Sequence, residues 1–401
     1  MNLNNLIELK TFNIFPEYFL VISALYMLIV VVLISYNVLG LILQRSIGDC
    51  IGLIMLLACY LIINDDLLFC NTDDFGFYIS LSFYKAVVMD YFGAFTKFII
   101  CFFSAVYFFI IADFLKEYKL TSFEYLLILL FAVLGLVLLC TSNDLLSAYL
   151  AIELVSLSSY LLASFKKNSS YSMEAGIKYL ITGSISSAFF LLGSSFVYAS
   201  VGTICISDIW SLFVDVAWLQ EQTRRTLWKD LCFLSDLEPT IWYLEDFYLS
   251  QIGWPAVVFM DYWVKKLYFR TLYANLIIFS ECSELLEPFI EIGLTFILFS
   301  LFIKLALAPF HLWSLDVYEG SPIISTFFFA VITKLSIFVF LTRICYSTIH
   351  FKESWQFYAI IISLLSIFVG SFGGLKQKKL KTLLAYSSVS HMGDVLLSLS
   401  T

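Results

Sequence analysis

Residues 290–313 read IEIGLTFILFSLFIKLALAPFHLW. An apolar run of this length predicts a helix that crosses a bilayer. Yet it holds Lys304, then Pro309, then His311. An ionisable side chain at bilayer depth costs at least ~2.5–3.5 kcal/mol on insertion scales, so it marks a functional site by default. Proline removes an amide donor and breaks a helix. In lipid, a broken helix is tolerated only where it faces protein or water, and such breaks mark ion paths. A lysine, a break and an imidazole in one span therefore read as working parts.

Three more charges interrupt apolar runs. Lys334 sits mid-span in FFFAVITKLSIFVFL, Glu153 in LLSAYLAIELVSLSSYLL, and Lys178 in GIKYLITGSISSAFFLLG. Glu153 lies about ten residues into its span, about 15 Å from the helix start. Opposite charges at ~4 Å attract by roughly 4 kcal/mol at an effective dielectric of 20. A carboxylate that approaches or leaves a buried lysine therefore decides whether that lysine keeps its proton, although a plain structural ion pair reads the same way. Lys178 is only two turns into its span, where its stem can snorkel to the interface. Function and snorkelling both stand for it. His391 and Asp394 are three apart in the last span and share a helix face. They are either a proton relay or a pair that merely faces the bundle. Ser321 and Pro322 read as the N-cap and first turn of the Lys334 helix.

The composition fits lipid as the solvent. Of 401 residues, 61% are hydrophobic and 13% charged, too few charges to cover a water-soluble domain. A net charge of -8 does not suggest nucleic-acid binding, and no basic stripe with interleaved aromatics appears. The nine cysteines show no C-x-x-C spacing, so no metal or iron–sulfur site is indicated. No phosphate-cradling glycine loop and no Ser–His–Asp arrangement is visible. The N-terminus has neither a cleavable-signal order nor a transit-peptide composition. The aromatic load, 41 Phe and 24 Tyr, fits an AT-rich organelle genome.

About ten spans are expected: 18–43, 50–63, 91–114, 123–140, 145–164, 175–201, 290–307, 323–346, 358–372 and 380–399. Basic residues collect in alternate loops, at Arg45, Lys116 and Lys119, Lys166 and Lys167, and Lys376 to Lys381. The positive-inside rule puts these on the matrix or cytoplasmic side. A loop at Ser314–Ser321, with Asp316 and Glu319, breaks the pattern. The segment Ser207–Glu291 mixes charges with Trp210, Trp218, Trp228, Trp242, Trp254 and Trp263. It reads either as surface-lying or partner-docked helices or as an inert expansion.

The stretches AYLAIELVSLSSYLLASFKK, SMEAGIKYLITGSISSAFFLLGSSFVYASVGT, FIKLALAPFHLWSLDVYEGSP and KKLKTLLAYSSVSHMG resemble a known family. It is that of the antiporter-like membrane subunits of proton-pumping NADH:ubiquinone oxidoreductase, respiratory complex I. The I-E-L-x-S-L and G-x-K-Y-L-x-x-G patterns favour the subunit 2 branch. The resemblance implies an all-α polytopic membrane protein whose family fold has fourteen helices, two inverted five-helix repeats following the first three. Here it implies about ten transmembrane helices, with one complete repeat and a partial second. It divides the chain into an N-terminal three-helix unit (1–114), the first part of repeat one (115–206), a hydrophilic aromatic-rich insertion on the intermembrane-space side (207–290), the rest of repeat one with its broken helix (291–350), and a partial repeat two (351–401).

By the same resemblance, Glu153 falls on the family's membrane glutamate and Lys304 on the lysine of its broken helix. Lys334 falls on the lysine of the next helix and Lys178 on a connecting lysine, while Pro309 and His311 belong to the PFHLW motif. Protons would pass between Lys304 and Lys334 along buried water. The chain itself would hold no redox cofactor; FMN, iron–sulfur clusters and ubiquinone would lie elsewhere in the complex, and lipids would be bound. Expected partners are the other membrane-arm subunits, accessory subunits at the insertion, and a separate polypeptide supplying helices eleven to fourteen, unless the sequence continues beyond Thr401. The expected location is the mitochondrial inner membrane, with an organelle gene. Asp394 stands where the family usually has an uncharged residue. A stand-alone cation/proton antiporter and a non-pumping structural subunit remain the rival readings.

Overall fold

In lipid every backbone amide must be bonded within its own segment, so long apolar runs become helices. The computed structural model describes residues 15–35, 40–70, 80–82, 85–117, 123–166, 169–209, 289–348 and 352–400. Its helices are α1 (Phe15–Ser35), α2 (Gly40–Cys70), α3 (Tyr91–Glu117), α4 (Phe123–Thr141), α5 (Leu145–Ala163) and α6 (Ser170–Val201). They continue with α7 (289–305), α8 (Leu312–Gly320), α9 (Ile323–Ser347), α10 (Lys352–Leu375) and α11 (Leu380–Ser400). Among the described residues, eight of these helices are long and apolar enough to cross a membrane. Large apolar side chains such as Leu150, Leu157 and Leu161 on α5 point outward. The bundle thus turns hydrocarbon to its surroundings, as a multi-pass membrane protein must. One hairpin, β1 (Ser80–Ser82) with β2 (Val87–Met89), was not anticipated and lies between α2 and α3.

Helix α4 is the most enclosed span, packed by α1, α3, α5 and α9. One core joins α1–α4 to the near face of α9. A second joins α5–α7 to the far face of α9 and reaches α10 and α11. Lipid supplies no hydrophobic drive between helices, so close backbone approach has to. At the α6–α7 crossing, a Cβ on Gly193 would stand 2.5 Å from the Gly293 carbonyl oxygen, and one on Gly293 would stand 2.9 Å from that of Gly193.

Several expectations need correction. The first span does not run through to residue 43: α1 ends at Ser35 and a new helix opens at Gly40. Arg45 is therefore on a helix and not in a loop, and the supposed short second span is a long one. The acidic "loop" at Ser314–Ser321 is mostly helix α8. Gly293 of α7 packs near the end of α6, and Gly320 of α8 packs on Tyr171 at its start. So α7, the break and α8 run antiparallel to α6 as one crossing. The real turn is Ser321–Pro322, which carries no base either, so this connection still departs from the charge pattern. Ser321 closes α8 and Pro322 opens α9, with no side-chain cap.

The unit boundary expected at 114 falls inside α3, which continues to Glu117, and the boundary at 291 falls inside α7. Of the 207–290 segment, residues 210–288 lie outside the described residues. Its beginning is anchored: Asn143 donates from its backbone amide to Ala86 O (2.9 Å) and from Nδ2 to Lys85 O (2.7 Å) and Ser207 Oγ (3.0 Å), while Ile206 N donates to Asn143 O (2.8 Å). One asparagine thus ties the hairpin, the α4–α5 turn and the start of the segment together. The Lys85 ammonium reaches Asp208 at 2.7 Å beside it.

Candidate functional site

The break after α7 creates the site. Ala306 adopts φ 58°, in the left-handed region that side-chain-bearing residues avoid. Hydrogen bonds are rerouted around it: Leu307 N reaches back to Phe302 O (3.1 Å), and Ala306 N to Ile303 O (3.1 Å). Trp313 Nε1 also donates to Ile303 O (3.0 Å), so an indole from beyond the break holds the end of α7. Trp313 is itself stacked on Tyr179 of α6, with ring centroids 4.8 Å apart. Lys304 lies one residue from this anchored carbonyl.

Lys304 and Lys334 line one cavity between α5, α6, the broken helix and α9. Its polar lining comes from Ser156, Tyr160, Tyr179, Thr182, Ser186 and Thr333, set among apolar residues such as Ile152 and Phe329. Lys334 is buried. It donates to Ser388 Oγ on α11 (3.1 Å) and stands 6.0 Å from the Tyr318 ring centroid. Among the described residues neither ammonium has a carboxylate within ion-pair distance. Glu153 of α5 stands outside the lining residues. Its Oε2 accepts from Ser156 Oγ (3.2 Å), while Oε1 is buried without a partner. Glu153 shares Ser156 with the cavity wall, so the carboxylate stands just behind it. The chamber can hold two amines, a ring of hydroxyls and the water they would bind.

The other expected residues stand apart from this chamber. Lys178 is on the outside of α6, bonded to Glu174 (2.8 Å) and Asp316 (2.7 Å). It is an ion-paired link between α6 and α8, not a free snorkelling cation. His311 is buried at the start of α8, its Nδ1 without a partner and its ring 6.3 Å from that of Tyr386. His391 and Asp394 do approach one another, at 4.0 Å, but their side chains are 78% and 61% exposed. Ser388, the partner of Lys334, and His391 are three positions apart on the same helix.

Sequence reasoning missed Lys97, a lysine in the apolar run of α3, which pairs with Glu17 of α1. The rule that found Lys304 applies to it equally. It also missed Tyr160, Ser186 and Trp313, whose types are common in any span and carry no signal without the fold.

The sequence matches the family described as NADH:quinone oxidoreductase/Mrp antiporter, TM, over residues 142–234 and 256–401, more than half of the chain. The chain belongs to this antiporter family. The family match continues to 234 and resumes at 256, so the part without a family counterpart is narrower than the 207–290 expected. Among similar antiporter-family proteins is the NADH-quinone oxidoreductase subunit N of Wolbachia sp. subsp. Brugia malayi, 32% identical over 276 residues, covering 68% of this chain and 45% of the relative. The subunit N of Maricaulis maris is 29% identical over 321 residues, covering 80% and 52%. The NADH-ubiquinone oxidoreductase chain 2 of Marchantia polymorpha is 28% identical over 318 residues, covering 79% and 52%. The chain thus spans about half the length of these relatives. A chain of respiratory complex I from Thermus thermophilus shares the antiporter-like fold, with TM-score 0.60 and 22% identity, over 96% of this chain and 64% of that one. A chain of the archaeal membrane-bound sulfane sulfur reductase aligns with TM-score 0.61 and 20% identity, over 97% and 64%.

Proposed function

We propose that this chain is a membrane-arm subunit of respiratory NADH:quinone oxidoreductase and that it moves protons through Glu153, Lys304 and Lys334. The observation that carries the reading is the shared chamber: two amines without carboxylate partners face one cavity lined by hydroxyls. Two ammonium groups in one low-dielectric space repel, so a proton arriving at one favours release from the other. Glu153 behind the wall biases Lys304, and movement of the carboxylate would shift that balance. Lys334 passes the proton on past Ser388 toward His391 and Asp394 along α11. Lys178, with Glu174 and Asp316, and His311 beside the break serve the inner end of the route.

Electron transfer belongs to other subunits, with FMN, iron–sulfur clusters and the quinone held there and lipid bound at the outer faces of this one. The names of the relatives support the assignment to that enzyme. The likeness to the Marchantia protein and the aromatic-rich composition support a mitochondrial inner membrane location and an organelle gene. Partners on this reading are the neighbouring antiporter-like and small membrane subunits, with accessory subunits at 207–290. A neighbouring helix would cover α11, where the exposed His391–Asp394 pair makes a poor lipid surface.

Lys304→Met in the purified, reconstituted oxidoreductase tests the reading. Protons moved per NADH should fall at least several-fold in a complex that still assembles. Unchanged pumping with unchanged turnover would leave the chain a structural subunit.

A further inference from the structure

Outside the chamber, the N-terminal end of α3 gathers a second set of charges. Asp90 caps the helix: its Oδ1 accepts from Gly93 N (3.0 Å) and its carbonyl from Ala94 N (2.9 Å). The same Oδ1 receives Arg343 Nη2 of α9 at 2.7 Å, with the two side chains 12% (Arg343) and 27% (Asp90) exposed. Seven residues on from Asp90, so on the same face of α3, Lys97 grips Glu17 of α1. Gly93 lies between them. A Cβ there would stand 2.4 Å from Asp90 Oδ1 and 2.7 Å from Arg343 Nη2. Only glycine lets the guanidinium reach the cap.

Arg343 is also nine residues after Lys334 on α9. At 100° per residue that places the two on opposite faces, about 14 Å apart along the axis. Lys334 looks into the chamber and Arg343 looks back onto α3. Nε and Nη1 of Arg343 are buried and find no acceptor. Among the described residues the guanidinium is thus paired with a single carboxylate.

We propose that Asp90 and Arg343 are a positioning pair, which braces the back of α9 against the α1–α3 unit and so sets where Lys334 stands in the chamber. Lys97 and Glu17 tie the same helix end to α1, so the brace has a firm base. The pair touches no transported proton. Its bearing on transport rests on the reading proposed above, whereas its bearing on Lys334 does not.

The test uses the whole oxidoreductase carrying Arg343→Met, Asp90→Asn, or Arg343→Lys, which keeps a cation facing Asp90. The probe is reductive methylation by formaldehyde and a borane, with the rate of dimethylation at Lys334 read by mass spectrometry. Labelling should be at least three-fold faster in Arg343→Met and Asp90→Asn and return toward the wild-type rate in Arg343→Lys. Equal rates in wild type and the assembled Met and Asn variants would overturn the proposal, as would Arg343→Lys labelling as fast as Arg343→Met. Should Arg343→Met not assemble, Asp90→Asn, which keeps the capping oxygen, decides on the same criterion. Protons per NADH, measured on the same samples alongside Lys334→Met, separate the two ideas. If Lys334→Met pumps normally, the functional reading falls while the labelling rates still judge the brace.

Discussion

Lys97 Nζ lies 2.8 Å from Glu17 Oε1, and both side chains are only 3% exposed. The ammonium also reaches Met89 Sδ, at 3.3 Å, and among the described residues Glu17 Oε2 has no hydrogen-bond partner. A buried pair so thinly supported holds two helices together without being the most stable way to do so. Removing one partner leaves an uncompensated charge and costs ~3–5 kcal/mol, whereas replacing both by apolar residues is often neutral or stabilising. Lys97→Met should therefore lower the thermal transition of the detergent-solubilised complex sharply. Lys97→Met with Glu17→Leu should recover most of the loss.

Gly193 and Gly293 allow α6 to touch α7, the helix that carries Lys304. Gly193→Leu should force the two apart at a cost of about 1–3 kcal/mol, the usual range for overpacking. Since α7 would carry Lys304 with it, protons per NADH should fall along with the melting temperature. Gly52, on α2 and packed against Phe109 of α3, provides the comparison site: changing it should lower stability without shifting Lys304 directly.

Ser388 Oγ is the hydrogen-bond acceptor of the buried Lys334 ammonium. Ser388→Ala should cost about 1–3 kcal/mol, as expected when a buried polar group loses its partner. Ser388→Thr, which keeps the hydroxyl, should restore both stability and transport. Melting curves and pumping assays on the two variants check this.

Trp313→Phe keeps the ring but loses the donor to Ile303 O. That carbonyl still accepts from Ala306 N, so stability should fall by only about 1 kcal/mol. The end of α7 loses its tether one residue from Lys304, so pumping should fall more than assembly. Quantifying the assembled complex and its protons per NADH compares the two losses.

Outside the spans, Asp208 raises the pKa of the exposed Lys85 ammonium by hydrogen bonding and charge, and Glu319 does the same for Lys379. A raised folded-state value means stability that is fully present below the unfolded lysine value, roughly 10.4, and is lost as pH rises through the higher folded value. Both lysines are well exposed and solvent screens them, so the effect is small. Wild type should lose melting temperature faster above that pH than Asp208→Asn with Glu319→Gln, and added salt should narrow the difference.

Much of this protein is legible in its sequence. Solvent class, helical fold and family follow from long apolar runs and a few short motifs, because hydrophobic length and backbone satisfaction leave a chain in lipid almost one choice. The break after Lys304 was legible for the same reason, since Pro309 cannot continue a helix. Lys334 and Glu153 declared themselves because a charge in an apolar run is costly wherever it lies. Three-dimensional packing alone decided which of these charges meet. It put Lys304 and Lys334 on one chamber, set Lys178 outside it with Asp316, and turned His391 and Asp394 outward. It divided one apolar tract into α1 and α2 and made a supposed loop into α8. The Lys97–Glu17 and Arg343–Asp90 pairs join residues 80 and 253 positions apart. Periodicity reports which face of a helix is apolar, but which two faces touch depends on how helices cross, and that is settled by close contacts between distant residues.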